Sequence, residues 1–107
     1  MASGIPFTLI YAPRVKEHLK TIEAKYYSLI RKAIQRQLRF EPNAETKNRK
    51  PLKRPGVFGS AWEIRFGPDN RFRVFYEVDR ESRQVFILAV GQKIGNRLSI
   101  GREEFET

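Results

Sequence analysis

WEIRFGPDNRFRVFYEVDRESRQVFILAVG, residues 62–91, decides how this chain folds. It holds three runs of strand character separated only by GPDN and DRESRQ, so it reads as a meander of antiparallel neighbours. In the first run Trp62, Ile64 and Phe66 share one face while Glu63 and Arg65 point the other way. In the second, Phe72, Val74, Tyr76 and Val78 oppose Arg71, Arg73, Phe75 and Glu77. One face is apolar and the other cationic. The third run, residues 85–90, is apolar on both faces, which predicts an interior strand whose second side is also covered.

Working outward toward the N-terminus, PFTLIY (6–11) reads as a short edge strand, because Pro6 cannot donate a ladder hydrogen bond; residues 1–4 before it are expected to fray. Pro13 suits a first helical position, and Val15, Leu19 and Ile22 recur at helical spacing, leaving Arg14, Lys16, Glu17 and Lys20 for water. A second stripe, Tyr27, Ile30, Ile34 and Leu38 with Tyr26 and Ala33, runs until Glu41 precedes Pro42. One unbroken helix over residues 13–40 would be about 40 Å long, which overreaches strands of five to eight residues. A hairpin breaking near residues 21–23 is therefore expected.

From residue 42 to 59 prolines, glycines and the cations of KNRKPLKR read as a loop, longer than a compact domain usually carries. Beyond the meander, RLSI reads as a short closing strand between turn points at Gly95 and Gly101, and residues 102–107 as an acidic tail. The order strand, helices, antiparallel strands describes a single α+β domain over residues 1–107, with the helices packed on the apolar face of the sheet.

Composition narrows the function. The absence of cysteine and the presence of one histidine, without CxxC or HxxxH spacing, exclude a zinc site and thiolate chemistry, and no metal or cofactor is expected. No apolar run approaches a membrane span and no signal peptide is read, so a soluble, cytoplasmic protein is expected. Lys and Arg number 21 against 12 acidic residues, a net charge of +9, which favours a polyanionic partner. His18 sits beside the Val15, Leu19, Ile22 stripe and reads as a packing histidine. Serine-hydrolase, nucleotide-binding and dinucleotide motifs are absent.

The remaining chemistry is cationic. Arg65 and Arg73 lie on the polar face of adjacent strands, Arg71 is two positions from Arg73, and Lys93 follows the last long strand. Strand pairing brings such residues to about 5 Å between Cβ atoms. Converging guanidinium groups bind phosphate bidentately and stabilise the extra negative charge of a phosphorane. Arginine cannot serve as a base, so proton transfer falls to Glu63 or Lys93. Lys47, Arg49, Lys50, Lys53 and Arg54 of the loop, together with Arg97, are candidate backbone phosphate contacts. Phe75, on the polar face, has three uses open to it: stacking on a base, anchoring a partner helix, or lying under the C-terminal tail.

These residues together resemble a known family. KNRKPLKRPGVFGSAWEIRFGPDNRFRVFYEVDRESRQVFILAVGQK, preceded by PRVKEHLKTIEAKYYSLIRKAI, closely resembles the RelE/ParE superfamily of toxins from type II toxin–antitoxin modules, over nearly the whole chain. The basic KPL loop leading into the WEI strand, the RFRVFYEV strand and the strand ending in AVG before a basic residue carry the resemblance. It implies two N-terminal helices packed on one face of a twisted antiparallel sheet of about four strands, and a cognate acidic antitoxin that masks the basic face. RelE-like members cleave mRNA on the ribosome without metal, the 2′-hydroxyl attacking its neighbouring phosphate. The resemblance places Arg65, Arg73 and Lys93 around that phosphate. Two positions depart from the efficient nucleases: Glu63 stands where they have a lysine, and Ser99 where they have a tyrosine that stacks on the base. Other members of the superfamily lack these residues too: ParE-like proteins, which bind and inhibit DNA gyrase without cutting and which Glu63 and Ser99 favour, and ribosome-dependent nucleases with their own residue sets; a solitary basic RNA-binding relative is a third reading.

Overall fold

A computed structural model describes residues 4–106, with Glu106 described in its backbone alone; the start expected to fray lies, apart from Gly4, outside the described residues. The elements run β1 (Thr8–Tyr11), α1 (Arg14–Lys20), a 3₁₀ turn (Ala24–Tyr26), α2 (Tyr27–Leu38), β2 (Arg49–Pro51), β3 (Trp62–Phe66), β4 (Phe72–Asp79), β5 (Gln84–Ile94), β6 (Arg97–Ile100) and β7 (Glu103–Glu106). The helical region breaks at residues 21–23. There the Thr21 hydroxyl donates to the His18 carbonyl at 2.7 Å and Glu23 takes an extended ψ of 134°.

The meander forms as the alternation dictates, β3 to β4 to β5, all antiparallel. Around it the expectation of two N-terminal helices on one face of about four antiparallel strands is overturned. The sheet has seven strands, it dominates the molecule, and β1 precedes the helices and pairs parallel with β5. The eleven-residue β5 makes this possible: β4 takes one of its edges, and the other is divided between β1 along residues 84–87 and β6 along residues 91–94. Two further strands come from stretches that do not read as strands. Arg49–Pro51, inside the presumed loop, pairs with β3, and Glu103–Glu106, the presumed acidic tail, pairs with β6. Glutamate disfavours strands, but Phe105 packs against a buried cluster and holds β7 in place.

Two cores flank the sheet. The larger joins Val15, Ile22, Ile30, Ile34 and Leu38 of the helical region to Ile64, Phe72, Val74, Tyr76 and Ile87 of the strands. Tyr76 is fully buried and donates its hydroxyl to the Pro42 carbonyl at 2.7 Å, which fixes the start of the long connection to the sheet. The smaller core, Phe75, Ala89, Leu98 and Ile100, lies on the opposite side with Leu52, Val57 and Phe105 packed onto it.

His18 is buried and its Nδ1 accepts the Val90 N–H at 3.3 Å, joining α1 to the central strand. Burial, and then the Arg14 charge, hold the imidazole below its ordinary value of 6.5, against an opposing pull from Glu103. The unfolded chain therefore takes up this proton at a higher pH than the folded one. The stability involved is complete above about pH 6.5 and declines as pH falls through the lowered value. Thermal midpoints at pH 7.5 and 5 should separate more for the wild type than for His18→Gln, whose amide can still accept from Val90. Equal separations would assign the pH dependence to other groups.

Candidate nucleic-acid interface

The site grows from one register. β3 and β4 place Arg65 directly opposite Arg73, and Glu63 opposite Phe75, all on the face turned away from Ile64 and Val74. Two like charges opposite one another in a sheet repel. Glu63 offsets this: its Oε1 pairs with Arg65 Nε at 3.1 Å and its Oε2 with Arg73 Nη1 at 3.5 Å. Glu63 and Arg73 are buried, whereas the Arg65 side chain keeps 41% of its surface. Burial, and next the Arg65 charge, lower the Arg73 guanidinium from its ordinary value, while Glu63 acts in the opposite sense.

Arg73 is further fixed by donating from Nε to the Asn70 carbonyl at 3.2 Å. That carbonyl belongs to the turn between β3 and β4, where Gly67 has φ +84° and a Cβ would lie 2.7 Å from the Phe72 ring. Across β5, Gly91 stands opposite Arg73, and a Cβ there would meet the Ser99 carbonyl at 2.7 Å, so glycine permits β6 to close on this point.

At the end of the sheet where this turn meets the one after β5, an open cleft of about 420 Å³ is lined by Pro68, Asp69, Arg71, Arg73, Lys93 and Gly95. Lys93 is half-buried and donates its backbone N–H to the Arg71 carbonyl at 2.7 Å; among the described residues no carboxylate pairs with its amine. The cleft thus offers a guanidinium held by Glu63 and the Asn70 carbonyl, an ammonium without a carboxylate partner among the described residues, and Asp69 as the opposing charge in its wall.

Arg71 lines the cleft differently from the alternation's expectation. It precedes β4 in a helical conformation (φ −62°, ψ −38°), and its guanidinium donates twice to Gln92 Oε1, at 3.1 and 2.9 Å, while lying 5.1 Å from the Tyr26 ring centroid. Arg65 is absent from the cleft wall and joins the group through Glu63. Phe75 does share the arginines' face, yet it is only 5% exposed beneath β6 and β7, so it offers no ring to a base. Arg97 alternates with Leu98 and Ile100, faces away from the smaller core, and pairs with Glu104 at 3.1 Å.

Of the loop cations, Lys47, Lys50, Lys53 and Arg54 are exposed, but Arg49 is not. Its Nη1 donates to the Glu41 and Ala44 carbonyls at 2.5 and 2.8 Å and its Nη2 to Gln37 Oε1 at 3.0 Å. Arg49 is a structural clamp between α2 and β2. Ser99 sits in β6 opposite Gln92 and Glu104. The residues missed in the sequence are Pro68, Asp69, Asn70 and Gly95. Both segments carry turn chemistry, GPDN and IGN, and the signal was that pairing of β4 with β5 must bring the two turns to one end of the sheet.

The fold is similar to that of one chain of the toxin–antitoxin complex RelBE2 from Mycobacterium tuberculosis, which superposes with a TM-score of 0.62 at 22% identity, covering 83% of this chain and 100% of that one. At that identity the likeness is one of fold. The chain belongs to the family described as Phage derived protein Gp49-like, a RelE-like toxin family, whose model matches residues 17–104. No curated protein matches the sequence.

Proposed function

We propose that this protein is the toxin of a type II toxin–antitoxin module and acts as an endoribonuclease on mRNA held by the ribosome. The observation that carries the reading is the Arg65–Glu63–Arg73 triad set beside an open cleft in which Arg73 and Lys93 converge. In the proposed reaction the ribose 2′-oxygen gives up its proton to solvent water in the open cleft and forms a bond to the adjacent phosphorus. The bond from phosphorus to the 5′-oxygen then breaks, leaving a 2′,3′-cyclic phosphate and a 5′-hydroxyl. Arg73 meets the charge that develops on the non-bridging oxygens, and its burial strengthens that contact by excluding water. Lys93 lines the cleft with an amine that pairs with no carboxylate among the described residues, and it gives the proton to the departing oxygen. Glu63 has both carboxylate oxygens occupied by guanidinium groups, so its part is to hold Arg73 and Arg65 at a fixed separation. The net charge of +9 suits an acidic antitoxin.

A second reading, a gyrase-binding toxin that cuts nothing, is favoured by the same Glu63, which neutralises part of the arginine charge. Primer extension on cellular mRNA after induction separates the two. The endonuclease reading expects discrete new 5′ ends within translated codons; intact messages with arrested growth and accumulated gyrase–DNA adducts would replace it with the gyrase reading.

A further inference from the structure

Between Glu23 and Glu41 the chain contains no acidic residue and five cations, Lys25, Arg31, Lys32, Arg36 and Arg39. This segment is α2 with its leading turn. Its inner side supplies Ile30, Ala33, Ile34 and Leu38 to the core, and Arg31 flanks the apolar groove between α1 and α2. The outer side is different: Lys25, Ser28, Leu29, Lys32 and Arg36 together line one shallow, open depression. Lys32 and Arg36 stand one turn apart, an arrangement that costs a helix stability because like charges repel. Neither has a carboxylate partner among the described residues, and Lys25 has only an exposed contact of 3.7 Å with Glu23. A run of uncompensated cations on a helix has a physical reason when a polyanion covers it.

The stripe is continuous with the cleft. Tyr26 is the joint: Lys25 Nζ lies 5.2 Å from its ring centroid and the Arg71 guanidinium 5.1 Å from the same ring. Arg71 in turn forms part of the cleft wall with Arg73 and Lys93. Cations therefore run from the cleft at the end of the sheet, past Tyr26, and along the outer face of α2. An acidic protein helix would need apolar anchors at helical spacing, and this face offers Leu29 alone. A phosphodiester backbone needs none.

We propose that a single RNA strand occupying the cleft continues past Tyr26 and lays its backbone along Lys25, Lys32 and Arg36, so that the protein grips RNA flanking the bound phosphate. The proposal deepens the endonuclease reading by naming where the substrate strand runs, but its test is one of binding and reads the two surfaces separately. The probes are 2′-O-methyl RNAs of four and twenty nucleotides, which cannot be cleaved through the 2′-oxygen, titrated at several salt concentrations against the wild type, Arg73→Ala, and the triple variant Lys25→Gln, Lys32→Gln, Arg36→Gln.

The triple variant should bind the 20-mer more weakly, with a salt slope shallower by about 2, roughly 0.7 for each lost contact with a single strand. It should bind the 4-mer as the wild type does and melt no lower. An unchanged slope for the 20-mer, or an equal loss for both lengths, overturns the stripe as a contact surface. If the wild type ignores the 4-mer while the 20-mer still depends on the stripe, the stripe stands and the cleft reading falls. A triple variant that keeps its RNA affinity but loses binding to a polyglutamate peptide assigns the face to an acidic protein partner instead.

Discussion

Arg73→Ala should lower ribosome-dependent mRNA cleavage by about 10²- to 10³-fold, the loss that follows removal of one preorganised donor to a developing oxyanion. Growth arrest on induction should disappear with it. Three features single out this residue for the test. Its guanidinium is buried, held at Nε by the Asn70 carbonyl and at Nη1 by Glu63, and it lines a cleft together with Lys93. Donors fixed in advance lose nothing in reorganisation when charge appears.

Truncation leaves Glu63 with Arg65 alone, which should cost about 1–2 kcal/mol of stability. Loss of fold is separated from loss of chemistry by the Glu63→Gln/Arg73→Gln double variant, which leaves no lone buried charge. It should melt near the wild type and remain inactive. Arg73→Lys keeps the charge without the planar fork and should recover only part of the rate. A folded Arg73→Ala protein that arrests growth as the wild type does removes the cleft from the mechanism.

The largest effect on stability should come from Arg49, and it should come without any direct effect on RNA. Arg49→Met removes three hydrogen bonds that the buried guanidinium donates, to the Glu41 and Ala44 carbonyls and to Gln37 Oε1, at an expected cost of about 3 kcal/mol. For a domain of this size that lowers the melting midpoint by roughly 10–20 °C. Arg49→Lys restores a charge but not a fork able to reach α2 and the turn at residue 44 together, and should recover less than half of the loss. Thermal unfolding followed by circular dichroism gives the values. At a temperature where Arg49→Met remains folded, its affinity for a short RNA should match the wild type. A stable Arg49→Met protein with weakened RNA binding would instead return this residue to the phosphate contacts.

Arg49 also marks the boundary of what the sequence makes legible. Alternation in WEIRF and RFRVFYEV is a local property, and it correctly placed Glu63, Arg65 and Arg73 on one face and Ile64 and Val74 on the other. The stripes over residues 15–22 and 27–38 likewise yielded two helices and their break. What the sequence concealed depends on partners distant along the chain. KNRK is cationic whether it meets phosphate or carbonyl groups, and only the packing of α2 against β2 turns Arg49 inward. Phe75 lies where the pattern puts it, but β6 and β7 fold over it, and EEFE has no strand signature of its own. Arg71 escapes the alternation because it belongs to a turn, where the period of two does not apply. The strand count fails for the same reason: β2 and β7 exist through pairing and burial, not through propensity.

The most direct test of the cleft is a titration of the wild-type protein with a 2′-O-methyl RNA tetranucleotide, followed by NMR at the arginine Nε–H groups and at the backbone amides. The cleft account expects the Arg73 Nε–H and the amides of Lys93 and Gly95 to shift first and most, with Arg65 following through Glu63. Shifts confined to the exposed loop cations or to the groove between α1 and α2, with Arg73 unmoved at saturation, would contradict it.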